Sequence, residues 1–362
     1  MTPEELDIGW APDLPSNRAM GIGIVGAGAI VNVGHLPAYR KAGFNIVGIT
    51  DKNPEAARET TSKFDVPRVY DGIDDLLDDP AVEIVDIAVP APFQPDIAVK
   101  AARSGRHLLC QKPLAEELPD AKRIVAAARD AGVQLAVNQQ MRWDPGIRAC
   151  KRMLEHGWLG EPTVATIDVS IMSDWSAWPW LVVSPRLDLM FHSIHYLDSM
   201  RFLFGMPDRL FCSGGQFPGQ PEKAETRTTT VLEYDNGLTC LVRVNHWDWT
   251  WDQRAVFRFE GTEGLAHGTI GLLYNYPYGQ PDTLRFTSKK LREGHWFDVE
   301  IDDMWIPDAF VGPMASLMCA IESGGRPETP GDDNLDTLRI VHAAYMSMEA
   351  HQTVVPAELA RG

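Results

Sequence analysis

The sequence lacks the features that define disulfide-rich, zinc-stapled or membrane-spanning proteins. Its five cysteines are odd in number and widely spaced, with no C-x-x-C pair. A disulfide framework and a structural zinc site are therefore not expected, and a reducing compartment fits best. No run approaches the roughly 20 apolar residues that span a bilayer, and the acidic residues 1–20 lack the basic start and apolar core of a signal peptide. We expect a cytoplasmic protein with an N-terminal arm over residues 1–20.

Basic side chains are also scarce. The chain has 33 Lys and Arg against 50 Asp and Glu, which gives a formal net charge of −17. This charge repels nucleic acid phosphates and anionic lipids, so neither nucleic acid nor a membrane is expected as a partner. The 362 residues are 44% hydrophobic and 23% charged, as in ordinary globular proteins. At about 100 to 200 residues per domain, the length predicts two or three domains.

Residues 21–140 alternate between apolar runs typical of strands and segments with helical periodicity. The runs are GIGIV, FNIVGIT, VEIVDIAVP, HLLCQKP and VQLAVN. Such alternation predicts an α/β domain with an open, mostly parallel, doubly wound sheet.

Segments that alternate with period 2 dominate residues 141–330. RTTTVLEYDNGLTCLVRVNHW and AVFRFEGTEGLAHGTIG contain the turn signals D-N-G and G-T-E-G. They predict an α+β domain with a large, open, mainly antiparallel sheet, interrupted by one helix near residues 187–204. The C-terminal segment 331–362 is predicted to contain a helix over residues 334–350. Covering the open face of the sheet would remove apolar area from water, so we expect a homodimer or homotetramer through this sheet.

The first apolar run breaks into glycines where a helix is expected to begin. The backbone N–H groups of such a turn face a pyrophosphate in dinucleotide-binding proteins, and the positive end of the helix favours the phosphate charge. The alternative interpretation is that the glycines only allow positive φ at this turn. Val31 stands where the fingerprint has a third Gly or Ala. The residues assigned to this contact are Gly26, Gly28, Ala29 and Ile30.

Asp51 closes the second run, 23 residues after Gly28. A carboxylate at this position accepts hydrogen bonds from the adenosine ribose hydroxyls and opposes a 2′-phosphate, so NAD is the expected cofactor. The neighbouring Lys52 would partly offset that repulsion, which leaves NADP as an alternative.

Several short stretches along the chain carry a more specific signal. They are GIVGAGAI, the strand end at Asp51, AVPAPFQ, QKPLA, VNQQMRW, HSIHYLD and EGTEG. Through them the sequence resembles the glucose–fructose oxidoreductase / inositol dehydrogenase (Gfo/Idh/MocA) family over most of its length. The resemblance implies a Rossmann domain, a C-terminal open sheet, and oxidation or reduction of sugars or polyols with NAD(P).

The resemblance also implies roles for individual residues. Lys112 would be the active-site lysine, presented by a turn that the ring of Pro113 restricts. Gln111, where the family has glutamate, lies beside it and is assigned to cofactor binding. Pro90 and Gln94, in a partial match to a second family motif, would lie near the nicotinamide.

His195 and Asp198 match the end of a further family signature, whose first Asp is replaced here by Phe191. Asp188, His192 and His195 follow an i, i+4, i+7 pattern that would place them on one helix face. Oxidation of a secondary alcohol requires a base for the hydroxyl proton, and histidine titrates near neutrality. A lysine can stabilise the developing oxyanion and relay the proton. We assign Lys112 and His195 as the catalytic pair and His192 as a further catalytic or orienting group.

Asp188, His192 and His195 are also a possible set of nitrogen and oxygen metal ligands. The chain has no H-E-x-x-H pattern and no clear fourth ligand, and hydride transfer needs no metal. No metal is therefore expected.

Tryptophan is abundant, with 11 residues, and its faces stack on the C–H faces of sugar rings. Trp247, Trp249 and Trp251 alternate as they would on one strand face, which favours core or subunit interface over substrate contact. Trp175 lies in an expected loop and is the better substrate candidate. The further residues assigned to substrate binding are Asn138, Arg142, Asp188 and His192, with a surface ion pair as an equal alternative for Arg142.

The expected function is that of an NAD-dependent dehydrogenase or reductase acting on a secondary alcohol of a cyclic sugar or polyol. One alternative is an enzyme that recycles NAD while it oxidises a glycoside and then eliminates from it. The other is a catalytically inactive dinucleotide-binding sensor or partner protein.

Overall fold

A computed structural model of the chain describes Thr2 and residues 5–360. Residues 1, 3 and 4 of the predicted arm and residues 361–362 of the predicted tail lie outside the described part. The chain forms two compact units, each assembled from separate segments. The first unit comprises Pro12–Gln140 and Ile306–Leu335. The second unit comprises the described residues up to Ala11, Met141–Trp305 and the described residues from Asp336 onward.

The described strands form one sheet in each unit. They are β1 Gly21–Val25, β2 Asn45–Thr50, β3 Ile84–Ile87, β4 His107–Gln111, β5 Leu135–Asn138, β6 Pro162–Ser170, β7 Arg209–Gly215, β8 Arg227–Glu233, β9 Thr239–Asn245, β10 Arg254–Gly261, β11 Gly264–Thr269, β12 Leu284–Ser288 and β13 Trp296–Val299.

The described α-helices lie between the strands along the chain or after the last strand. They are α1 Leu36–Ala42, α2 Pro54–Phe64, α3 Ile73–Asp78, α4 Gln94–Arg103, α5 Leu118–Ala131, α6 Pro145–Glu155, α7 Pro179–Val183, α8 Ile194–Phe204, α9 Lys289–Arg292, α10 Val311–Ser323 and α11 Gly331–Ala350. Two π turns, Val31–His35 and Asp188–His192, precede α1 and α8. No described helix is both long enough and apolar enough to cross a membrane.

The first unit contains a parallel sheet with the strand order β2-β1-β3-β4-β5. Every residue of β1, β3 and β5 is buried, because helices cover both faces of such a sheet. This confirms the predicted doubly wound fold. The carboxyl ends of β1, β3 and β4 lie side by side along one edge, where ligands bind in open α/β sheets.

The first unit extends beyond the predicted domain boundary. Residues 306–335 were expected in the sheet domain and the C-terminal segment, but Phe310, Met314 and Met318 are buried in the same core cluster as β1 and α1. The backbone N–H of Val137 also donates to the Thr329 carbonyl at 2.8 Å, so this segment lies beside β5. The first unit is thus discontinuous in sequence, and α10 was not predicted.

The second unit contains a sheet with the order β13-β12-β11-β10-β6-β9-β8-β7. All neighbouring strands are antiparallel except β6 and β9, which run parallel, so the predicted mainly antiparallel sheet is confirmed. Alternate residues of β8, β9 and β10 are buried. On the opposite face, Asp168 forms ion pairs with Arg243 and Arg254. Half-buried Val231, Leu241 and Val256 lie on the same face, where Val256 is paired with Asp168 and Val231 with Leu241.

The predicted helix near residues 187–204 is a π turn followed by α8, and α6 is an additional helix of the second unit. The predicted strand face of Trp247, Trp249 and Trp251 is wrong, because β9 ends at Asn245. Asp248 accepts a hydrogen bond from the Thr250 hydroxyl and Trp251 has a φ of +61°, so the chain turns here. Trp249 and Trp251 are consequently exposed.

The described part of the N-terminal arm is held by hydrogen bonds in both units. In the second unit, Ile8 is buried and the Trp10 indole N–H donates to Asp303 at 2.9 Å. In the first unit, the Ser16 hydroxyl donates to Glu322 at 3.0 Å.

Candidate functional site

The turn after β1 is shaped for close backbone approach. Gly26 has a φ of +114°, and a Cβ there would lie 2.3 Å from the Ala88 carbonyl oxygen, so only glycine fits. A Cβ at Gly28 would meet no atom within 4 Å, so the space beside this residue is open. The Asn32 side-chain amide donates to the carbonyls of Ala27 and Gly28 at 3.1 and 3.0 Å and fixes the turn. Ala29 and Ile30 continue it into the π turn.

Asp51 connects the end of β2 to this turn. Its carboxylate accepts hydrogen bonds from the backbone N–H groups of Ala27 and Asn53 at 2.8 and 2.7 Å. Each carboxylate oxygen has a second lone pair, so Asp51 can still accept ribose hydroxyls. Lys52 lies 5.0 Å from the ring centre of Phe93, which follows half-buried Pro90. The structure therefore brings the predicted residues of the nucleotide contact to one edge of the sheet, and they fit a dinucleotide.

The Gln94 side chain supports the loop that carries Lys112 through hydrogen bonds. This buried side chain donates through Nε2 to the carbonyl oxygens of Gln111, Pro113 and Leu114 at 2.7, 2.9 and 3.0 Å. The cofactor contact that the sequence predicted for Gln94 stays a prediction, and the amide N–H groups of Gln94 support the lysine loop. Gln94 is thus a positioning residue.

Gln111 lies between the lysine loop and a buried histidine that sequence reasoning missed. Its Oε1 accepts from the Lys112 backbone N–H at 2.8 Å, and its Nε2 lies 3.1 Å from Nε2 of His35. The Asn138 amide nitrogen faces the same ring nitrogen at 3.3 Å. As these amides are oriented, His35 accepts at Nε2 and donates from Nδ1 to Asp86, 2.7 Å away. No pattern in the sequence indicated this cluster, because His35 and Asp86 come from separate elements.

Gln111 and Asn138 therefore contact His35. The cofactor contact predicted for Gln111 and the substrate contact predicted for Asn138 stay predictions. Lys112 itself is half-buried. Burial lowers the pKa of its amine from 10.5 to about 7. The amine is thus able to gain or lose a proton near neutral pH.

The second unit contains a group of three side chains, Asp188, His192 and His246, which we call the histidine cluster. Asp188 and His246 are fully buried, and His192 is half-buried. His246 Nε2 lies 2.9 Å from Asp188 Oδ1, and His192 Nδ1 lies 3.8 Å from the same oxygen. Sequence reasoning missed His246, which follows β9 and lies 58 residues from Asp188 along the chain.

His195 is not part of the histidine cluster. Its ring packs edge-on against Trp305, with 4.9 Å between the ring centres. The His192 ring instead packs against His246, with 4.4 Å between the ring centres. The predicted common face assumed 3.6 residues per turn. The π turn over Asp188–His192 contains more residues per turn, so position 195 no longer returns to the face of position 188.

Trp175 lies beside the histidine cluster, with its ring centre 5.0 Å from that of His246. Its indole N–H is buried and has no hydrogen-bond partner among the described residues. Such a group is available to a ligand.

Arg142 forms an ion pair, but a buried one, so the alternative of a surface ion pair is wrong, while its substrate contact stays a prediction. It is buried and donates from Nε and Nη2 to Asp198 at 2.7 and 2.8 Å. Asp198 also accepts from the Thr337 hydroxyl at 2.5 Å. Burial opposes ionisation of Asp198, but the charges of Arg142 and Arg201 hold its pKa below the usual value. This bidentate pair ties α8 to its neighbours and is structural.

The first sheet is parallel and has a glycine turn and a carboxylate at its carboxyl edge, and a broad antiparallel sheet follows in the same chain. Together these features are those of a two-domain NAD-dependent oxidoreductase. The chain belongs to the Gfo/Idh/MocA family of oxidoreductases. A family profile described as "Oxidoreductase family, NAD-binding Rossmann fold" matches residues 20–139, and the "GFO/IDH/MocA C-terminal domain" profile matches residues 147–267. The predicted family, enzyme class and NAD cofactor are confirmed.

Similar proteins agree with this assignment. D-apiose dehydrogenase of Paraburkholderia graminis is 30% identical over 339 residues, which cover 90% of this chain and 88% of that protein. Myo-inositol 2-dehydrogenase of Thermotoga maritima is 24% identical over 349 residues, covering 92% and 98%. An oxidoreductase of Agrobacterium radiobacter, solved with NAD+, L-tartaric acid and magnesium, is 25% identical with a TM-score of 0.82, covering 94% and 99%.

Proposed function

We propose that this protein is an NAD-dependent dehydrogenase, or in the opposite direction a reductase, for a secondary hydroxyl of a cyclic sugar or polyol. The observation that carries the proposal is the Lys112 amine, with a pKa near 7, at the edge of the dinucleotide-binding sheet. The names of the apiose and inositol dehydrogenases support a substrate of this class.

The nicotinamide of bound NAD supplies the hydride acceptor. The chain's own task is to remove the hydroxyl proton and to stabilise the developing oxyanion. In the proposal the neutral Lys112 amine takes this proton and, as an ammonium, donates a hydrogen bond to the resulting oxygen. His195 and His192 are proposed as the imidazoles that share the proton, because an imidazole can both accept and donate a proton in this kind of reaction.

Cofactor and substrate contacts are also assigned. Gly26, Gly28, Ala29 and Ile30 are proposed to contact the pyrophosphate, and Asp51 the ribose. Trp175 offers a flat face for ring C–H groups and a buried N–H for a hydroxyl. Asp188 and His192 are proposed as further polar contacts to the substrate.

Replacement of Lys112 tests the proposal. Lys112→Met is expected to reduce kcat by about 10²- to 10⁴-fold, the usual contribution of a proton-transfer group, while the NAD dissociation constant stays within about threefold. Candidate substrates are pentoses, hexoses, inositols and anhydrosugars, each measured with NAD and NADP. Lys63→Met, at an exposed lysine of the same unit, serves as the control. Unchanged turnover in Lys112→Met would remove the lysine from the reaction.

A homodimer or homotetramer through the open face of the sheet belongs to the same proposal. The half-buried Val231, Leu241 and Val256 on that face support it, since a partner would cover them. No observation favours the glycoside-recycling reaction or an inactive binding protein.

A further inference from the structure

We propose that the histidine cluster binds one divalent transition-metal ion of the Zn²⁺ or Co²⁺ class through Asp188, His192 and His246. Metal binding can be measured without any substrate turnover, because it needs only three side chains of the second unit. With the ion bound, Asp188 and His192 would contact the substrate through the metal, and His195 would remain as the imidazole that shares the proton with Lys112. The sequence alone favoured no metal, since it did not reveal that His246 joins Asp188 and His192.

The donor set determines the class of ion. Two imidazole nitrogens and one carboxylate oxygen suit zinc, cobalt and related metals, whereas calcium and magnesium prefer oxygen ligands alone. Three protein ligands leave a coordination position for water or substrate, as in catalytic zinc sites.

The two ligand–ligand distances from Asp188 in the cluster lie on either side of the distance expected between ligands of one ion. With metal–ligand bonds of about 2.1 Å, tetrahedral geometry separates the ligand atoms by about 3.4 Å. Asp188 Oδ1 lies 2.9 Å from His246 Nε2 and 3.8 Å from His192 Nδ1, and the ligand atoms of the three residues all lie within 4.8 Å of one another. The 3.8 Å separation is too long for a hydrogen bond. Small side-chain rotations would therefore complete the site.

Hydroxyl groups orient two of the three ligands. The Ser193 hydroxyl lies 2.8 Å from both oxygens of Asp188, and the Thr228 hydroxyl donates to Oδ2 at 2.5 Å. Ser173 Oγ lies 2.7 Å from His246 Nδ1. With the imidazole proton on Nδ1 and donated to Ser173, Nε2 presents its lone pair to the ion. Such outer hydrogen bonds are typical of metal-binding imidazoles and carboxylates.

Two buried polar groups beside the cluster support a ligand there. The Tyr196 ring packs edge-on against His192 at 5.2 Å, and its hydroxyl is buried without a hydrogen-bond partner among the described residues. The Trp175 indole N–H, beside His246, has the same status within the described chain. Buried polar groups are nearly always paired, so water or hydroxyl oxygens around a bound ion would account for both.

The ion would contribute to substrate binding. A metal with an open position acts as a Lewis acid toward hydroxyl or carbonyl oxygens, and this part of the inference rests on the proposed sugar or polyol substrate.

Metal titration of the full, untagged chain tests the inference. After chelation and dialysis, the protein is titrated with Co²⁺ by visible absorption and with Zn²⁺ by calorimetry. One ion per chain is expected. Loss of an outer hydrogen bond costs about 10- to 100-fold in affinity, so Ser173→Ala is expected to weaken metal binding by about 10-fold. Asp188→Asn and His246→Gln each remove a ligand and are expected to weaken it by at least about 100-fold.

His156→Gln is the matched control, because this imidazole lies on the surface of the same unit and should leave affinity unchanged. Circular dichroism verifies that each variant is folded. Absence of Co²⁺ absorption and of Zn²⁺ binding heat in the wild-type chain would overturn the inference, as would full affinity in folded Asp188→Asn and His246→Gln. Turnover that persists without any metal binding would overturn the metal site alone. Metal binding without turnover of any sugar or polyol would contradict only the proposed function.

Discussion

At the scale of single residues, amide side chains hold the loop that presents Lys112. Gln94 supports three carbonyl oxygens of this loop, and Gln111 accepts from the Lys112 backbone N–H. Gln94 has two N–H groups for three acceptors, so every donor is in use. The neutral amide therefore fits this position better than a carboxylate of the same size.

Gln94→Glu tests this support. The carboxylate would face three carbonyl oxygens, and we expect the free energy of unfolding to fall by about 1 to 3 kcal/mol, the cost of unpaired buried polar groups. Displacement of Lys112 should lower kcat by about 10- to 100-fold, with a smaller change in NAD affinity. Steady-state kinetics and urea unfolding measure both effects.

Gln134→Glu is the matched control, because its amide donates to the Gly325 carbonyl in an exposed position. A Gln94→Glu enzyme with normal kcat at pH 8 would contradict the positioning role. At low pH the glutamic acid carries one O–H donor, so kcat of the variant relative to that of the wild type at the same pH is expected to recover in part.

At the scale of elements, a pair of buried carboxyl groups joins the start of α6 to the loop before β12. Asp144 caps α6 by accepting from the Ile147 N–H at 3.1 Å, and Asp282 accepts from the Gly271 N–H at 2.6 Å. The Oδ2 atoms of both carboxyl groups are buried and have no hydrogen-bond donor among the described residues, so a proton shared between the two neighbouring groups would pair them. Burial raises the pKa of both, that of Asp282 to about 6.

This pair predicts a loss of stability as pH rises. The unfolded pKa is about 3.9, so between about pH 4 and pH 6 the folded state binds the extra proton and the free energy of unfolding falls with rising pH. In Asp282→Asn an amide N–H replaces the shared proton. Between pH 4.5 and pH 8, the free energy of unfolding is expected to fall by about 2 to 3 kcal/mol less in the variant than in the wild type.

Urea unfolding at both pH values measures this difference. Asp252→Asn, at an exposed position of the same unit, should follow the wild type. Parallel pH dependence of Asp282→Asn and the wild type would show that the pair does not share a proton.

At the scale of the whole molecule, both units depend on segments that are distant in sequence. Phe310, Met314 and Met318 complete the core of the dinucleotide-binding unit, although Met141–Trp305 separate them from its sheet. A fragment that ends at residue 140 would leave this apolar surface in water.

We therefore expect residues 12–140 alone to lack a cooperative thermal transition and an NAD-dependent rise in Tm. The same fragment joined through a flexible linker to residues 306–335 should regain both. Differential scanning calorimetry with and without NAD distinguishes the two proteins. A third protein, in which the linker is followed by a scrambled 306–335 sequence, controls for the added chain length. Cooperative, NAD-stabilised unfolding of 12–140 alone would contradict the assignment of the C-terminal segment.

The sequence alone determined the features that depend on neighbouring residues. Strand and helix periodicity, the glycine turn at Gly26 and the carboxylate of Asp51 are local patterns, and together with the family motifs they indicated the fold and NAD. The buried parallel strands were readable because a sheet covered on both faces needs continuous apolar runs.

Only the tertiary structure decided which distant side chains meet. It brought His246 next to Asp188 and paired Arg142 with Asp198. It also showed that Gln94 supports the lysine loop and that α10 belongs to the first unit. The physical reason is that these partners are selected by burial, since a polar group withdrawn from water must find a hydrogen-bond partner and an apolar face must find a core. Neither requirement produces a periodic pattern in the sequence.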